Sequence, residues 1–187
     1  MSHRSVRYGM QLAGEGGQGV VLAAVMLAEA AAMYDGKNAA QSASYGPEAR
    51  GGLTKSEVVI SAEEIDFPKV VEADLLLAMN QDACDKYFPM LKKGGILIVD
   101  SVNVERVPDA HAYSIPITRI AEEVTGRAVT ANVVAVGVIV GLAGVASLGA
   151  IEATVAARAP KGTQELNLKA LHAGLQAAQA FKAQSGG

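Results

Sequence analysis

The segment that most constrains the fold is an apolar strand that runs into a glycine-rich turn and then into an apolar helix. The sequence predicts the strand over Tyr8–Ala13, the turn over GEGGQG (Gly14–Gly19), and a helix, VVLAAVMLAEAAAMY, that ends near Gly36. Glycine permits a tight turn, while alanine, leucine and methionine favour a helix. A strand, a glycine turn and a helix in this order are typical of a Rossmann-like α/β fold.

The rest of the chain alternates strands with helices. Strands are predicted over Asn38–Ser42, Leu53–Ser61, 73–80 and 95–101, with a weaker one over 111–117. Helices are predicted over 81–93, interrupted by Pro89 and ending at Gly94-Gly95; over 118–126, with Thr118 as N-cap; from Thr130 or Asn132 onward; over 147–159; and over 167–184. Mostly apolar strands that alternate with helices predict one α/β domain over 1–187, with a largely parallel sheet flanked by helices.

One stretch has the length of a membrane span. Residues 128–151 carry no charge, and about 20 apolar residues suffice to cross a bilayer. Asn132, Ser147 and four glycines dilute the stretch, so we expect a helix that is buried in a soluble protein. Small residues let helices approach closely, which is the role expected of Gly137, Gly141 and Gly144. Whether the neighbouring helix belongs to the same chain is left open.

Composition excludes several classes of function. The formal net charge is −3 and the longest basic block is Lys92-Lys93, which is a poor surface for nucleic acid. Cys84 is the only cysteine, so the chain cannot supply four thiolates to a zinc or iron–sulfur site. The three histidines are not spaced as metal ligands. The N-terminus lacks the apolar core of a signal peptide, which predicts the cytoplasm.

The glycine turn also matches a dinucleotide-binding pattern, G-x-G-x-x-G, at Gly14, Gly16 and Gly19. The acidic residue at the expected distance, Asp35, ends the predicted helix instead of following a second strand, and Glu15 places a negative charge beside the turn. Three interpretations stay open: a phosphate or partner contact by Gln18 and the loop amides, a purely structural turn, and a small NAD(P)-dependent oxidoreductase. A free-standing nucleotide- or CoA-ester-binding protein is a further alternative.

The segment SASYGPEARGGLTKSEV (Ser42–Val58) fits no simple element. We expect Ser44–Gly52 to project as a contact segment that cannot join the sheet. Within it, Arg50 is the candidate for binding an anionic group, because a guanidinium pairs with carboxylate or phosphate in a bidentate manner. The alternatives are an ion pair with Glu48 or Glu57, or a solvated side chain.

Two motifs together carry a resemblance to a known family. GEGGQGV near the N-terminus, followed by SYGPEARGG, resembles the gamma subunit of 2-oxoacid:ferredoxin oxidoreductases. The segments ADLLLAMNQDACDKYFPMLKKGGILIVDS and TANVVAVGVIVGL are similar to the middle and the buried helix of that family. The resemblance extends from Tyr8 to Ala178.

The resemblance implies a subunit of an oligomeric enzyme that oxidatively decarboxylates a 2-oxoacid, forms an acyl-CoA and reduces ferredoxin. The motif is most similar to enzymes for 2-oxoglutarate or branched-chain 2-oxoacids, with pyruvate and aryl-pyruvate types left open. Thiamine diphosphate and magnesium are expected on alpha and beta subunits, iron–sulfur clusters on a ferredoxin-like partner, and no tightly bound cofactor on this chain. The isolated chain is expected to be inactive and to self-associate.

No catalytic or metal-binding residue is predicted on this chain. The residues predicted to contact a partner subunit or CoA belong to the two motifs and to the end of a buried strand. They are Gly14, Gly16, Gly17, Gln18 and Gly19; Tyr45, Gly46, Pro47, Glu48, Arg50, Gly51 and Gly52; and Asn80.

Overall fold

A computed structural model describes residues 7–47, 52–109 and 111–185, with Ser185 described by its backbone alone. The strands are β1 (Arg7–Glu15), β2 (Asn38–Tyr45), β3 (Leu53–Ser61), β4 (Ala73–Ala78), β5 (Leu91–Asp100) and β6 (Tyr113–Ile115). The helices are α1 (Val20–Glu29), α2 (Gln81–Tyr87), α3 (Ile117–Thr125), α4 (Ala131–Ala143), α5 (Leu148–Arg158) and α6 (Gln164–Ser185). A π-helical turn (Ala30–Tyr34) continues α1, and 3₁₀ turns occupy Phe88–Met90 and Ala128–Thr130.

The six strands form one sheet in the order β2-β3-β1-β4-β5-β6. The pairs β1–β4, β4–β5 and β5–β6 are parallel, while β3 runs antiparallel to both β1 and β2. Five strands therefore point the same way and β3 alone is reversed. The predicted α/β fold with a largely parallel sheet is confirmed, and the reversal of β3 is what the sequence did not predict.

The two faces of the sheet are covered unequally. The larger core cluster joins one face of the sheet to α1, α3, α4, α5 and α6, whereas α2 covers β4 and β5 on the opposite face. Consequently the helix that follows β1 and the helix that follows β4 lie on opposite faces. Where the helices that follow two neighbouring strands lie on opposite faces of an α/β sheet, a crevice opens between the carboxyl ends of those strands, and ligands bind there.

The long apolar helix is buried, as predicted, and its close neighbour belongs to the same chain, which the sequence left open. In α4 every residue from Ala131 to Val140 is buried, and α6 is the neighbour that its glycines admit. A Cβ on Gly137 would lie 2.2 Å from the Leu171 carbonyl oxygen, and one on Gly174 would lie 2.1 Å from that of Val134. Among the described residues no helix is long and apolar enough to cross a membrane.

Gly144 has a different role from the one predicted. No atom lies within 4 Å of a Cβ built on Gly144, and its φ of +61° makes it the left-handed C-cap of α4. The residue therefore ends the helix instead of admitting a neighbour, as glycine commonly does at this position.

Two further predictions about local structure were wrong. The helix predicted over 81–93 ends at Tyr87, and Leu91 through Gly95 belong to β5, because Leu91 pairs with Ala73 of β4. Thr118 is not an N-cap, since α3 begins at Ile117 and the Thr118 hydroxyl donates to the Asp100 carboxylate at 2.5 Å.

The segment predicted to project from the sheet also needs correction. Ser44 and Tyr45 belong to β2, where they pair with Lys55 and Thr54 of β3. The prediction that Ser44 and Tyr45 project from the sheet is therefore wrong, and residues 48–51 of the predicted segment lie outside the described residues. Small polar residues can lie on an edge strand because one side of it faces solvent, and this is why serine and alanine here do not exclude a strand.

Candidate functional site

The two sequence motifs meet at the carboxyl edge of the parallel strands. The Gly16 amide donates to the Gly52 carbonyl oxygen at 3.0 Å. This contact follows from the sheet, because β1 and β3 are antiparallel neighbours in which Glu15 pairs with Leu53. The Gly46 amide in turn donates to the Leu53 carbonyl oxygen at 2.8 Å and closes the base of the β2–β3 hairpin.

The glycine loop makes its turn with two residues in the left-handed region. Gly17 has φ +97° and Gly19 has φ +75°, values that favour glycine over any residue with a Cβ. The Gln18 amide donates to the Glu15 carbonyl oxygen at 3.1 Å, and α1 follows with its first helical bond from Ala23 to Gly19 at 3.0 Å. The preceding amides at the start of α1 have no acceptor within the helix and carry its positive dipole end.

Gln18 fills the crevice between β1 and β4. Its Oε1 accepts from the Glu15 amide at 2.6 Å and its Nε2 donates to the Met79 carbonyl oxygen at 3.1 Å. A Cβ on Gly14 would lie 2.5 Å from Gln18 Oε1 and 2.9 Å from Met79 Cβ, so glycine at position 14 makes room for this side chain. Both ends of the Gln18 amide are therefore used within the chain, which favours its structural interpretation.

The structure does not place Asp35 where the acidic residue of a dinucleotide-binding site would bind the ribose. The Asp35 carboxylate accepts from the Ser147 amide at 2.7 Å and from the Ser147 hydroxyl at 2.6 Å, and so ties the π-helical turn to the start of α5. Burial raises the pKa of Asp35, but the two hydrogen bonds from Ser147 and the charge of Lys37 together lower it by more, so that the pKa lies below its ordinary value. Moreover, β2 is separated from β1 by the antiparallel β3, so among the described strands none runs parallel beside β1 on the side where a ribose would bind.

An open cavity of about 510 Å³ lies between the glycine loop, the start of α1 and the end of β2. Its lining includes Glu15, Gly17, Val20, Leu22, Tyr45 and Thr54. The Tyr45 side chain is 72 % exposed, whereas Thr54 is buried. Backbone amides, a phenol and apolar side chains are suited to a polar group with an apolar neighbour, and the Glu15 carboxylate limits how much negative charge fits beside it.

The hairpin loop also borders a second open cavity, of about 620 Å³, on the side of α2. Gly46, Pro47 and Gly52 face Asp82 and Asp85 across it. Hydrogen bonds from Gln81 and Arg106, with the Arg106 charge, hold the pKa of Asp85 below its ordinary value against the raising effect of burial. Lys86 lines the same cavity, so this side of the hairpin carries two carboxylates and one ammonium group, while Glu15 lies on the other side.

Asn80 caps the helix that follows β4. Its Oδ1 accepts from the Ala83 amide at 3.0 Å, which makes Asn80 the N-cap of α2. Residues Glu48, Ala49, Arg50 and Gly51 lie outside the described residues, so the predictions for Glu48, Arg50 and Gly51 stay predictions. One alternative partner of Arg50 is already engaged, because Glu57 pairs with Lys55 at 2.7 Å.

Sequence reasoning missed Thr54 and Leu22 as lining residues. Thr54 occupies the strand position opposite Tyr45, and the two-residue alternation of β3 places it on the face covered by α1. That alternation was the signal for Thr54. The exposed Leu22, three residues into the predicted helix, was a weaker one.

The Cys84 thiol is not suited to act as a nucleophile. Cys84 is buried against β4 and β5, and its burial, followed by the charge of Asp85, raises the pKa of the thiol. A thiol with a raised pKa is a poor nucleophile because little thiolate is present. Among the described residues no three histidine, cysteine or acidic side chains are grouped as metal ligands.

Comparison with known proteins identifies the family. The family model for pyruvate ferredoxin/flavodoxin oxidoreductase matches residues 9–177. The chain is 46 % identical over 178 residues to the 2-oxoglutarate synthase subunit KorC of Methanocaldococcus jannaschii, covering 93 % of this chain and 95 % of that protein. It is 29 % identical over 145 residues to the pyruvate synthase subunit PorC of the same organism, covering 76 % of this chain and 80 % of that one.

A solved structure agrees with both results. The gamma subunit of a keto/oxoacid ferredoxin oxidoreductase from Geobacter sulfurreducens superposes with a TM-score of 0.83 at 47 % identity, over 92 % of this chain and 99 % of that chain. The family match, the identity and the shared fold all extend over nearly the whole chain. The chain therefore belongs to the pyruvate ferredoxin/flavodoxin oxidoreductase family.

Proposed function

We propose that this chain is the gamma subunit of a 2-oxoacid:ferredoxin oxidoreductase complex, with 2-oxoglutarate as the favoured substrate. The observation that carries the proposal is the hydrogen bond from Gly16 to Gly52, which joins the two family motifs into one surface. The preference for 2-oxoglutarate rests on 46 % identity to a 2-oxoglutarate synthase subunit against 29 % to the pyruvate synthase subunit of the same organism.

Within such a complex this chain binds and positions, and the reacting groups lie on its partners. Thiamine diphosphate with magnesium, on alpha and beta subunits, supplies decarboxylation, and iron–sulfur clusters on a ferredoxin-like subunit carry the electrons to ferredoxin. The residues of this chain that contribute are backbone amides, Tyr45 and Arg50. We place the complex in the cytoplasm and treat the chain as one folding unit.

The joined motifs form the contact surface that we assign to a partner subunit or to CoA. The amides of Gly17, Gly19 and Val20 can donate to a phosphate or a carbonyl group. The neighbouring cavity of about 510 Å³ has the size of a small-ligand site. We propose that this chain holds one part of CoA and that the partner subunits hold the rest.

Glu15 and Asp82 lie on either side of the hairpin base and are both exposed. Lys86 offsets one carboxylate on the Asp82 side, whereas no lysine or arginine is among the described residues that line the cavity beside Glu15. An anion that approaches from the Glu15 side therefore needs a further cation. Arg50 is the cationic residue of the motif, so we assign the anion contact to Arg50. The neighbouring residues shape the loop that carries it: Tyr45, Gly46, Pro47, Glu48, Gly51 and Gly52.

The experiment is reconstitution of the complex with and without this chain. Ferredoxin reduction is measured with 2-oxoglutarate, 2-oxoisovalerate and pyruvate, in the presence and absence of CoA. We expect turnover only when this chain is present, with the highest kcat/KM for 2-oxoglutarate. Full activity without this chain contradicts the proposed function, and a preference for pyruvate contradicts the substrate.

A second measurement separates this proposal from its alternatives. The isolated chain is titrated calorimetrically with NAD(H), NADP(H) and CoA, and its iron content is determined. We expect no nicotinamide binding, no stoichiometric iron and no activity with any 2-oxoacid. Micromolar binding of a nicotinamide nucleotide would favour the oxidoreductase alternative, and tight CoA binding by the chain alone would favour the free-standing CoA-ester-binding protein.

A further inference from the structure

The outer edge of the sheet at β2 is long and uncharged, and no strand among the described residues pairs with it. β2 has eight residues, NAAQSASY, and is bonded to β3 on one side only. Natural proteins protect such edges with charged residues, proline, bulges or short strands, because an open edge is a template for another strand. β2 contains no charged residue and no proline, and its pairing with β3 is continuous from Asn38 to Tyr45 without a register shift.

The backbone groups that face outward can be identified. In an antiparallel ladder the N–H and C=O of one residue point to the same side, and successive residues alternate. The Gly46 amide bonds to Leu53, and the Ser42 carbonyl accepts from the Ser56 hydroxyl at 2.9 Å. Even-numbered residues therefore face β3, which leaves the N–H and C=O groups of Ala39, Gln41, Ala43 and Tyr45 facing out.

Three large side chains at the two ends of this edge are exposed. At one end the π-helical turn packs against β2 and leaves Met33 71 % and Tyr34 50 % exposed. At the other end Tyr45 is 72 % exposed. All three lie on the face of the sheet that α1 covers, because Tyr45 and α1 border the same cavity and the turn continues α1.

A two-fold axis through the edge brings these side chains together. If two β2 strands pair antiparallel about Gln41, Ala43 of each copy lies opposite Ala39 of the other, and Tyr45 lies opposite position 37. A two-fold axis perpendicular to the sheet keeps α1 of both copies on the same face. Each Tyr45 then lies beside the other copy's Met33 and Tyr34, so the edge is complementary to itself, as an isologous interface requires.

Two lysines lie near this edge among the described residues, and both make hydrogen bonds within the chain. The Lys37 ammonium donates to the Val145 carbonyl oxygen at 3.0 Å, away from the edge. The Lys69 ammonium lies 3.4 Å from the Ser42 hydroxyl, whose side chain is on the opposite face from Tyr45 because residues 42 and 45 alternate. We propose that two copies of this chain pair through β2 into one continuous sheet, with Tyr45 of each copy packed on Met33 and Tyr34 of the other.

The first test removes one outward amide. Ala43→Pro deletes an N–H that makes no bond to β3 and places a ring on the edge, where proline is tolerated; Ala43→Ser is the matched control that keeps the N–H. Sedimentation velocity over a concentration series gives the dimer dissociation constant of the purified full chain. We expect Ala43→Pro to raise this constant at least about tenfold, with an unchanged circular dichroism spectrum, and Ala43→Ser to leave it unchanged.

The second test addresses the side chains. Met33→Ser should weaken the dimer by a similar factor, whereas Val124→Ser, an exposed apolar residue on α3, should not. Hydrogen exchange should show concentration-dependent protection of the peptide that covers 38–45. A wild-type chain that stays monomeric at its highest soluble concentration overturns the proposal, and so does a dimer that Ala43→Pro leaves intact. A monomeric chain whose β2 amides are protected only inside the reconstituted complex assigns the edge to a partner's strand and overturns it as well.

Discussion

The Gly16 amide donates to the Gly52 carbonyl oxygen at 3.0 Å, and this single bond couples the glycine loop to the hairpin loop. Because Glu15 and Leu53 are paired in the ladder between β1 and β3, the bond extends that ladder by one step. The bases of both loops are therefore positioned by the sheet, before any ligand or partner binds. Such a preformed surface binds at a smaller cost in ordering than two independent loops would.

Gln18 should be a structural residue of the site. Gln18→Ala removes the acceptor of the Glu15 amide and the donor to the Met79 carbonyl oxygen. Each lost bond costs about 0.5–1.5 kcal/mol, so we expect the free energy of unfolding to fall by about 1–2 kcal/mol, measured by denaturant unfolding. Gln18→Glu keeps the acceptor alone and should be intermediate.

The matched control for Gln18 is Gln179→Ala, an exposed position on α6. It should leave the free energy of unfolding nearly unchanged. If Gln18→Ala is as stable as Gln179→Ala and weakens only assembly or turnover, then Gln18 contacts a ligand or a partner, and the structural interpretation is wrong.

The contact between α4 and α6 should not tolerate a methyl group. Gly174→Ala would place its Cβ 2.1 Å from the Val134 carbonyl oxygen, a backbone atom that moves only if the helices separate. Overpacking of this kind costs about 1–3 kcal/mol, which for a chain of this length lowers the melting temperature by roughly 2–4 °C per kcal/mol. Gly149→Ala is the control, because its Cβ would meet no atom within 4 Å and alanine favours the helix. An equal effect of the two substitutions on melting temperature would falsify the close approach.

The bond between Asp35 and Ser147 should make stability depend on acid pH. Burial raises the pKa of Asp35, but the two hydrogen bonds from Ser147 and the charge of Lys37 outweigh it and hold the pKa below its ordinary value. A carboxyl with a lowered pKa contributes stability above its unfolded pKa and loses it as pH falls through the folded value. Asp35→Asn should therefore be less stable than wild type at neutral pH, and the difference should shrink below about pH 4.

Denaturant unfolding of both proteins from pH 7 to pH 3 measures this difference. Asp66→Asn serves as the control, because Asp66 is exposed and lies in the segment between β3 and β4, away from α5. A gap between Asp35→Asn and wild type that stays constant down to pH 3 would mean that the charge of Asp35 contributes nothing.

Local sequence patterns predicted the elements well where one signal dominated. The β-branched run of β3 gave Leu53–Ser61 with the observed bounds, and the uncharged stretch predicted the burial of α4. The start of β5 was missed because Leu91, Lys92 and Lys93 continue a helical pattern, and only pairing with β4 decides otherwise. Tertiary pairing of this kind is not a property of the local sequence.

The site was predicted in its components and not in its arrangement. Both motifs were recognised, but their contact depends on the reversal of β3, which no local pattern encodes. The crevice that a G-x-G-x-x-G turn normally opens is filled by Gln18, a side chain that the pattern leaves unspecified. Asp35 matched the fingerprint by spacing alone, since its partner Ser147 lies far along the chain.

The last prediction concerns Arg50, whose role rests on the chemistry of its motif. Arg50→Ala should leave the melting temperature of the isolated chain nearly unchanged, because glycines flank the residue on its C-terminal side and the hairpin base is closed by Gly46 and Leu53. Removing one partner of a desolvated charge pair costs about 2–5 kcal/mol. Assembly or turnover of the reconstituted complex should therefore fall at least about tenfold.

Two further variants test whether the geometry of Arg50, and not only its charge, is needed. Arg50→Lys should restore only part of the loss, because lysine keeps the charge but not the bidentate geometry. Arg119→Ala, an exposed arginine on α3, should change neither assembly nor turnover. Subunit binding and ferredoxin reduction are measured on the same preparations, so that a loss of affinity is distinguished from a loss of rate. If Arg50→Ala instead unfolds the isolated chain while its folded fraction assembles and turns over normally, Arg50 is a structural residue, and the anion contact must be assigned elsewhere on the hairpin.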